Sequence, residues 1–228
     1  MLRISLAERW IWAAAAAGLG ALLAAGPAAA GIAVPRAGAG TPGYAVATIP
    51  VTGQFPWGCA VDAATGMVYV PTDYGDPSVS VIDESTSTVA HVIRFGAQAP
   101  MAVAVDTKTD TVYVALTDLP ALDVLNGTNY TVTASYGLPG APVAVALNSD
   151  ASLLYVAYGN SVSAMDTATG SVTSTIELGY LNHAMYLATD PATGTVYAAG
   201  VNSSGTGTVW LLDASSLTLT KAIPVGTG

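Results

Sequence analysis

The stretch that decides the fold is Ala60-Val61-Asp62-Ala63-Ala64-Thr65-Gly66-Met67-Val68-Tyr69-Val70, followed shortly by Val79-Ser80-Val81-Ile82-Asp83. Apolar runs flank Asp-Ala-Ala-Thr-Gly, the pattern of two short strands joined by a tight turn. The phrase then returns three times. Val68-Tyr69-Val70 reappears as Val112-Tyr113-Val114, Leu154-Tyr155-Val156 and Val196-Tyr197-Ala198, so the tyrosines at 69, 113, 155 and 197 step by 44, 42 and 42. Seven residues ahead of each tyrosine stands Asp62, Asp106, Asn148 or Asp190, closing a mostly apolar run. After each tyrosine a third run ends at Asp83, Asn126, Asp166 or Asp213, and a fourth follows over 87–95, 130–138, 170–178 or 217–225.

Each unit thus supplies four short strands, here a to d. A period of 40 to 45 residues with four strands per unit is the signature of blades stacked around an axis. The expected fold is an all-β β-propeller of four-stranded blades, with blades at about 52–95, 96–138, 139–179 and 180–225 inside a repeat region 44–228. One further d-like strand, at 44–51, precedes them. Four complete blades plus one N-terminal strand leave a strand over on closure, so an open arc or partial propeller is expected. Alternation predicts that each blade buries one face on the previous blade and the other on the next. The recurring tyrosine is then a packing residue whose hydroxyl finds a partner at the blade edge.

The totals agree with such a fold. Of 228 residues, 52% are hydrophobic and 9% charged, and 24 Gly and 13 Pro punctuate short Val, Thr and Tyr runs. Disorder is excluded by that balance. The formal charge is −9, or −10 once the first thirty residues, which carry Arg3, Arg9 and Glu8, are set aside. Beyond them only Arg36, Arg94, Lys108 and Lys221 are basic, and they are far apart, so no nucleic acid partner is expected. The single Cys59 excludes an intrachain disulfide.

Residues 1–30 read as a signal peptide. Arg3 and Arg9 precede an apolar Ala- and Gly-rich run, Pro27 ends it, and Ala28-Ala29-Ala30 offers a small-residue cleavage site. An uncleaved membrane anchor is the alternative, since residues 10 to 34 carry no charge. Residues 31–43 read as a flexible linker. A secreted or cell-surface location follows.

These residues carry a resemblance. The Ala-Val-Asp-x-x-Thr-Gly hairpin at 60–66, Val68-Tyr69-Val70, Val79-Ser80-Val81-Ile82-Asp83, and the closing phrase seen in Val46-Ala47-Thr48-Ile49-Pro50-Val51 and Ile223-Pro224-Val225-Gly226 resemble the YVTN-type β-propeller repeats of bacterial and archaeal extracytoplasmic, surface-layer-like proteins. The chain departs from the namesake tetrad after its second residue, as in Tyr69-Val70-Pro71-Thr72. The resemblance implies a propeller outside the cytoplasm and no defined reaction. Family propellers usually carry more blades than the four found here.

The a-b and c-d hairpins repeat the same Asp or Asn turn, so their acids are read as turn formers and no calcium loop of the D-x-[DN]-x-[DN]-G kind is present. The b-c and d-a connections diverge and fall on the opposite rim, where function is expected. Candidate ligand-binding residues there are Phe55, Trp57, Tyr74, Asp76, Tyr158, Asn160, Tyr180 and His183. Aromatic and amide side chains on a concave rim suit a carbohydrate, peptide or cell-envelope ligand. Cys59 aligns with Val103, Val145 and Leu187 and is expected as a buried thiol, while His91 is expected exposed on a d strand. With no second histidine beside His183, no catalytic residue, metal or cofactor is expected.

The function expected is a non-catalytic binding or scaffold protein using that rim, with self-association through exposed terminal blades. The alternatives are a propeller lyase or hydrolase, and a truncated fragment of a larger propeller.

Overall fold

The computed structural model describes residues 22–26, 29–35, 46–178, 186–202 and 204–227, and every structural statement below concerns these. They hold strands and turns and no helix. The chain divides into two compact units, Met1–Gly96 and Ala97–Gly228.

The first unit opens with β1 (Leu22–Gly26), β2 (Ala29–Pro35) and β3 (Val46–Pro50), an antiparallel three-stranded sheet in that order. The extra strand expected at 44–51 is therefore not alone. Residues 31–35, read from sequence as linker, are paired: Ile32 faces Ile49 and Val34 faces Ala47. The first repeat follows as β4 (Gln54–Pro56), β5 (Ala60–Asp62), β6 (Met67–Tyr74), β7 (Ser78–Asp83) and β8 (Thr88–Arg94). Both β4 and β5 pair with β6, so they are two halves of one broken a strand. Ile49 of β3 packs with Val68, Val70 and Ile82, and Val51 lies against the same cluster.

The second unit holds three four-stranded antiparallel sheets. The second repeat is β9 (Pro100–Asp106), β10 (Thr111–Leu116), β11 (Ala121–Asn126) and β12 (Val132–Gly137). The third is β13 (Pro142–Asn148), β14 (Leu153–Tyr158), β15 (Ser161–Asp166) and β16 (Val172–Glu177). The fourth is β17 (Tyr186–Asp190), β18 (Thr195–Val201), β19 (Thr206–Asp213) and β20 (Leu219–Thr227). In each the strands pair in chain order, and each sheet is open. The a strand β13 lies between β9 and β17.

Period-2 alternation sends successive β14 side chains into different cores. Leu154 and Val156 cluster with Tyr113, Ala115 and Leu122 of the second sheet. Tyr155 and Ala157 cluster with Val196, Ala198, Trp210 and Leu212 of the fourth. A strand buried on both faces suits the β-branched and aromatic residues found there. The tyrosines add polar ties across the same seams. Tyr155 Oη donates to the Ala214 carbonyl at 2.6 Å, and the Tyr113 hydroxyl is hydrogen-bonded to the Thr167 side chain, one residue past the equivalent cap. Farther along, Thr117 Oγ1 donates to Pro142 O at 2.9 Å and Thr189 Oγ1 to Leu147 O at 2.7 Å.

The hairpins explain why acids recur without chemistry. Asp62 Oδ1 accepts from Ala64 N–H at 2.9 Å, Asp166 Oδ1 from Ala168 and Thr169 N–H at 3.0 and 2.8 Å, and Asp213 Oδ1 from Ser215 and Ser216 N–H at 3.0 and 2.8 Å. Four residues beyond each cap the backbone turns left-handed: Gly66, Ser87, Asp110, Tyr130, Ser152, Gly170, Gly194 and Leu217 all have φ between 51° and 71°. The two hairpins of each repeat are then joined by one backbone bond, from Glu84, Gly127, Thr167 or Ala214 N–H to the carbonyl of Gly66, Asp110, Ser152 or Gly194.

Candidate functional site

Four of the expected rim residues lie in the first unit, and their placement starts from Gly53. Its φ of 82° turns the chain, and a Cβ there would sit 2.5 Å from Thr72 Oγ1 and 2.8 Å from the Asp76 carbonyl. Only glycine fits. Beneath the turn runs a buried hydroxyl network. Thr72 Oγ1 donates to Thr52 O at 2.8 Å and lies 3.2 Å from Ser78 Oγ, Ser78 Oγ donates to Asp76 O at 2.9 Å, and Ser80 Oγ accepts from Thr52 N–H at 3.2 Å. Thr72, Ser78 and Ser80 are fully buried.

This network draws residues 52–56 onto β6, which corrects the sequence expectation of loops at Gln54–Pro56 and Thr72–Tyr74; Trp57, Gly75 and Asp76 lie outside the strands. Gln54 pairs with Tyr74 and Pro56 with Thr72, in register. Pro56 is tolerated because it sits on an edge strand. Trp57 N–H still reaches Pro71 O at 3.4 Å before the strand breaks. The break lies at 57–59 and leaves Cys59 exposed. The expectation of a fully buried thiol fails because the repeat offset assumes a continuous a strand, which this repeat lacks, although the surrounding protein still desolvates the thiol and pushes its pKa up.

On the β4–β6 surface the aromatic side chains face solvent. Phe55 is 45% exposed, Trp57 38% and Tyr74 63%. The Phe55 and Tyr74 rings meet edge to face with centroids 6.0 Å apart and planes at 67°, a favourable geometry for aromatic pairs. Phe55 achieves this with φ of 54°, a conformation that costs a non-glycine residue on the order of 1 kcal/mol. Asp76 Oδ2 pairs with Arg94 Nε at 3.2 Å on the surface next to this turn. The result is an apolar ledge of two touching rings with a charged pair and the Gln54 amide at its margin.

In the second unit the expected residues are placed differently. Tyr158 is half-buried against the second-sheet core, and its hydroxyl shares a hydrogen bond with Ser163 Oγ at 2.5 Å, which passes on to Thr175 Oγ1 at 2.6 Å. Its ring also packs so closely on Gly140 that a Cβ there would lie 2.9 Å from Tyr158 Cδ2. Tyr158 is thus held by packing on Gly140 and by its bond to Ser163. Asn160 is exposed in the β14–β15 turn, where its carbonyl accepts from Leu178 N–H at 2.9 Å. Tyr180 and His183 lie outside the described residues. His91 is exposed on β8. Sequence reasoning placed Gln54 on the rim but missed Arg94, which meets Asp76 beside this turn; Arg94 sits on an otherwise regular d strand, so no local signal marks it.

No known protein-family profile matches the chain, and no curated protein matches it. Solved structures do. A chain of the Kuenenia stuttgartiensis hydrazine synthase is similar to it with a TM-score of 0.66 and 17% identity, over 77% of this chain and 51% of the other. A chain of the mitotic checkpoint complex is similar with a TM-score of 0.58 and 14% identity, over 73% of this chain and 51% of the other. This chain thus spans about half the length of each. Both are propeller folds, and at such identities the likeness speaks of architecture alone: the repeated four-stranded antiparallel sheets are those of a β-propeller.

Proposed function

We propose that this chain is a secreted or cell-surface, non-catalytic binding protein of the YVTN-like kind, and that it holds a cell-envelope carbohydrate on the Phe55–Tyr74 ledge. One observation carries the reading: an exposed phenylalanine is kept in a left-handed backbone conformation with its ring against an exposed tyrosine. Strain of that kind persists where surrounding structure imposes it, and it clusters at ligand sites. A paired aromatic ledge offers its faces to the C–H side of a sugar ring. The Asp76 carboxylate, Arg94 guanidinium and Gln54 amide supply donors and acceptors for hydroxyls at the margin. The apolar run behind two arginines at the N-terminus supports export.

The test is a titration of the chain with solubilised envelope polysaccharides, followed by tryptophan fluorescence and calorimetry. Phe55→Ala and Tyr74→Ala should each weaken binding by about tenfold or more, the size of a lost aromatic anchor. Arg94→Gln should weaken it less. Binding that both aromatic variants leave unchanged, or no polysaccharide binding at all, would remove this reading.

A further inference from the structure

The aromatic ledge and the ion pair beside it belong to one face of the first repeat. Thr72, Ser78 and Arg94 are successive register partners across β6, β7 and β8, and Tyr74 stands two residues beyond Thr72, so alternation sets Tyr74 and Arg94 on the same side of the sheet. Thr72 and Ser78 are buried under Thr52, whereas Tyr74 and Arg94 are exposed at the border of the face. Gln54, the register partner of Tyr74, joins them from β4, and a Cβ on Gly75 would stand 3.7 Å from its Nε2. Rings, amide, carboxylate and guanidinium therefore meet at one end of one sheet.

The bonding of the ion pair decides what it can still hold. Asp76 Oδ2 and Arg94 Nε meet at 3.2 Å, and the two side chains stay 45% and 61% exposed. That bond uses one of the five N–H groups of the guanidinium and one of the two oxygens of the carboxylate. Arg94 Nη1 and Nη2 and Asp76 Oδ1 have no other partner among the described residues. The pair thus shows donors and an acceptor side by side with their charges matched. A sugar hydroxyl both gives and takes a hydrogen bond, so two neighbouring hydroxyls satisfy both members and leave the pair intact. A sugar carboxylate only accepts. It would compete with Asp76 for Arg94 while standing against the Asp76 charge, in a chain of formal charge −9 with no other Lys or Arg between positions 37 and 107.

We propose that the ledge selects neutral glycans, whose paired hydroxyls bind Asp76 and Arg94 together, and turns away sugars that bear carboxylates. The inference rests on the carbohydrate reading of the ledge and adds to it the class of sugar. The Phe55 and Tyr74 rings supply contact area that neutral and acidic sugars share. Asp76 supplies the discrimination, since it holds Arg94 and keeps a second anion away from it.

The experiment separates solubilised envelope polysaccharide into neutral and acidic fractions by anion exchange and titrates the intact chain with each by calorimetry, at low salt where charge effects are least screened. The neutral fraction should bind about tenfold or more tightly than the acidic one. Asp76→Asn keeps an oxygen acceptor and removes the charge, on a side chain exposed enough that folding survives. It should narrow the gap between the fractions about fivefold by raising affinity for the acidic one, the scale of one like charge a few ångströms away in water. An acidic fraction bound as tightly as the neutral one, with Phe55→Ala weakening both, would overturn the selection and leave the ledge standing. A gap that Asp76→Asn leaves unchanged would overturn it too. Binding of either fraction that survives both Phe55→Ala and Tyr74→Ala, or no binding of either, would remove the ledge itself and the selection with it.

Discussion

Tyr155 Oη donates a 2.6 Å hydrogen bond to the carbonyl of Ala214, tying the tyrosine of one repeat to the c-d hairpin of the next. Both partners are buried, so deleting the hydroxyl strands a carbonyl away from water. Tyr155→Phe should cost about 1–3 kcal/mol, read as a fall of several degrees in melting temperature. Tyr197→Phe, at the half-buried equivalent, should cost much less. Equal losses would show that the hydroxyl bond is not what the repeat tyrosine supplies.

The left-handed position four residues past each cap makes a second pair of variants informative. Ser152 is exposed with φ of 54°, and Leu217 is buried among Trp210 and Leu212 with φ of 52°. Glycine relieves the backbone at either site. Ser152→Gly should therefore stabilise by about 0.5–1 kcal/mol. Leu217→Gly should destabilise by about 2 kcal/mol or more, since losing the buried side chain outweighs the relief. Urea denaturation checks both, and a stabilised Leu217→Gly would contradict the core assignment.

How far the sequence could be read differs between these features. The caps were legible because an Asp or Asn side chain satisfies its own turn, a local event that spacing records. The two-sided burial of Leu154-Tyr155-Val156 was legible for the same reason, since alternation maps directly onto opposite faces. Cys59 was not. Its exposure depends on the break at 57–59, which depends in turn on Thr52, Thr72, Ser78 and Ser80 meeting under Gly53, a tertiary arrangement with no period. Tyr158 differs in the opposite sense: read from sequence as part of a divergent connection, it is the last residue of β14, and its hydroxyl shares a hydrogen bond with Ser163 on the neighbouring strand. The pairing of Gly31–Pro35 with Val46–Pro50 was hidden because small residues carry little strand signal.

Acid should loosen the turns in a definite window. Ser215 and Ser216 hydrogen bonds hold the Asp213 carboxyl down from its ordinary 3.8 to about 2, and Asp83, Asp166 and Asp190 are lowered in the same sense by Ser85, Thr169 and Thr193. A carboxylate whose folded pKa is depressed contributes stability above its unfolded pKa and loses it as pH falls through the folded one. Melting temperature should thus decline between pH about 4 and about 2. Asp213→Asn, which keeps an acceptor for the turn as Asn126 does, should reduce that decline. An unchanged pH profile in this variant would mean the turn carboxylate is not the titrating group.

The ledge and the fold beneath it should respond to opposite substitutions. Gly53→Ala forces a Cβ against Thr72 Oγ1 and the Asp76 carbonyl at a left-handed φ, so it should destabilise by about 2 kcal/mol or more and abolish binding with it. Phe55→Gly differs in kind. It removes the left-handed penalty of about 1 kcal/mol while giving up only a half-exposed ring, so the melting temperature should stay near that of the parent. Carbohydrate affinity should nevertheless fall at least as far as in Phe55→Ala. A chain that keeps its stability and loses its ligand would place the strain at Phe55 in the service of binding. If Phe55→Gly melts far below the parent, the ring is there to hold β4 on β6, and the ledge is a consequence of packing.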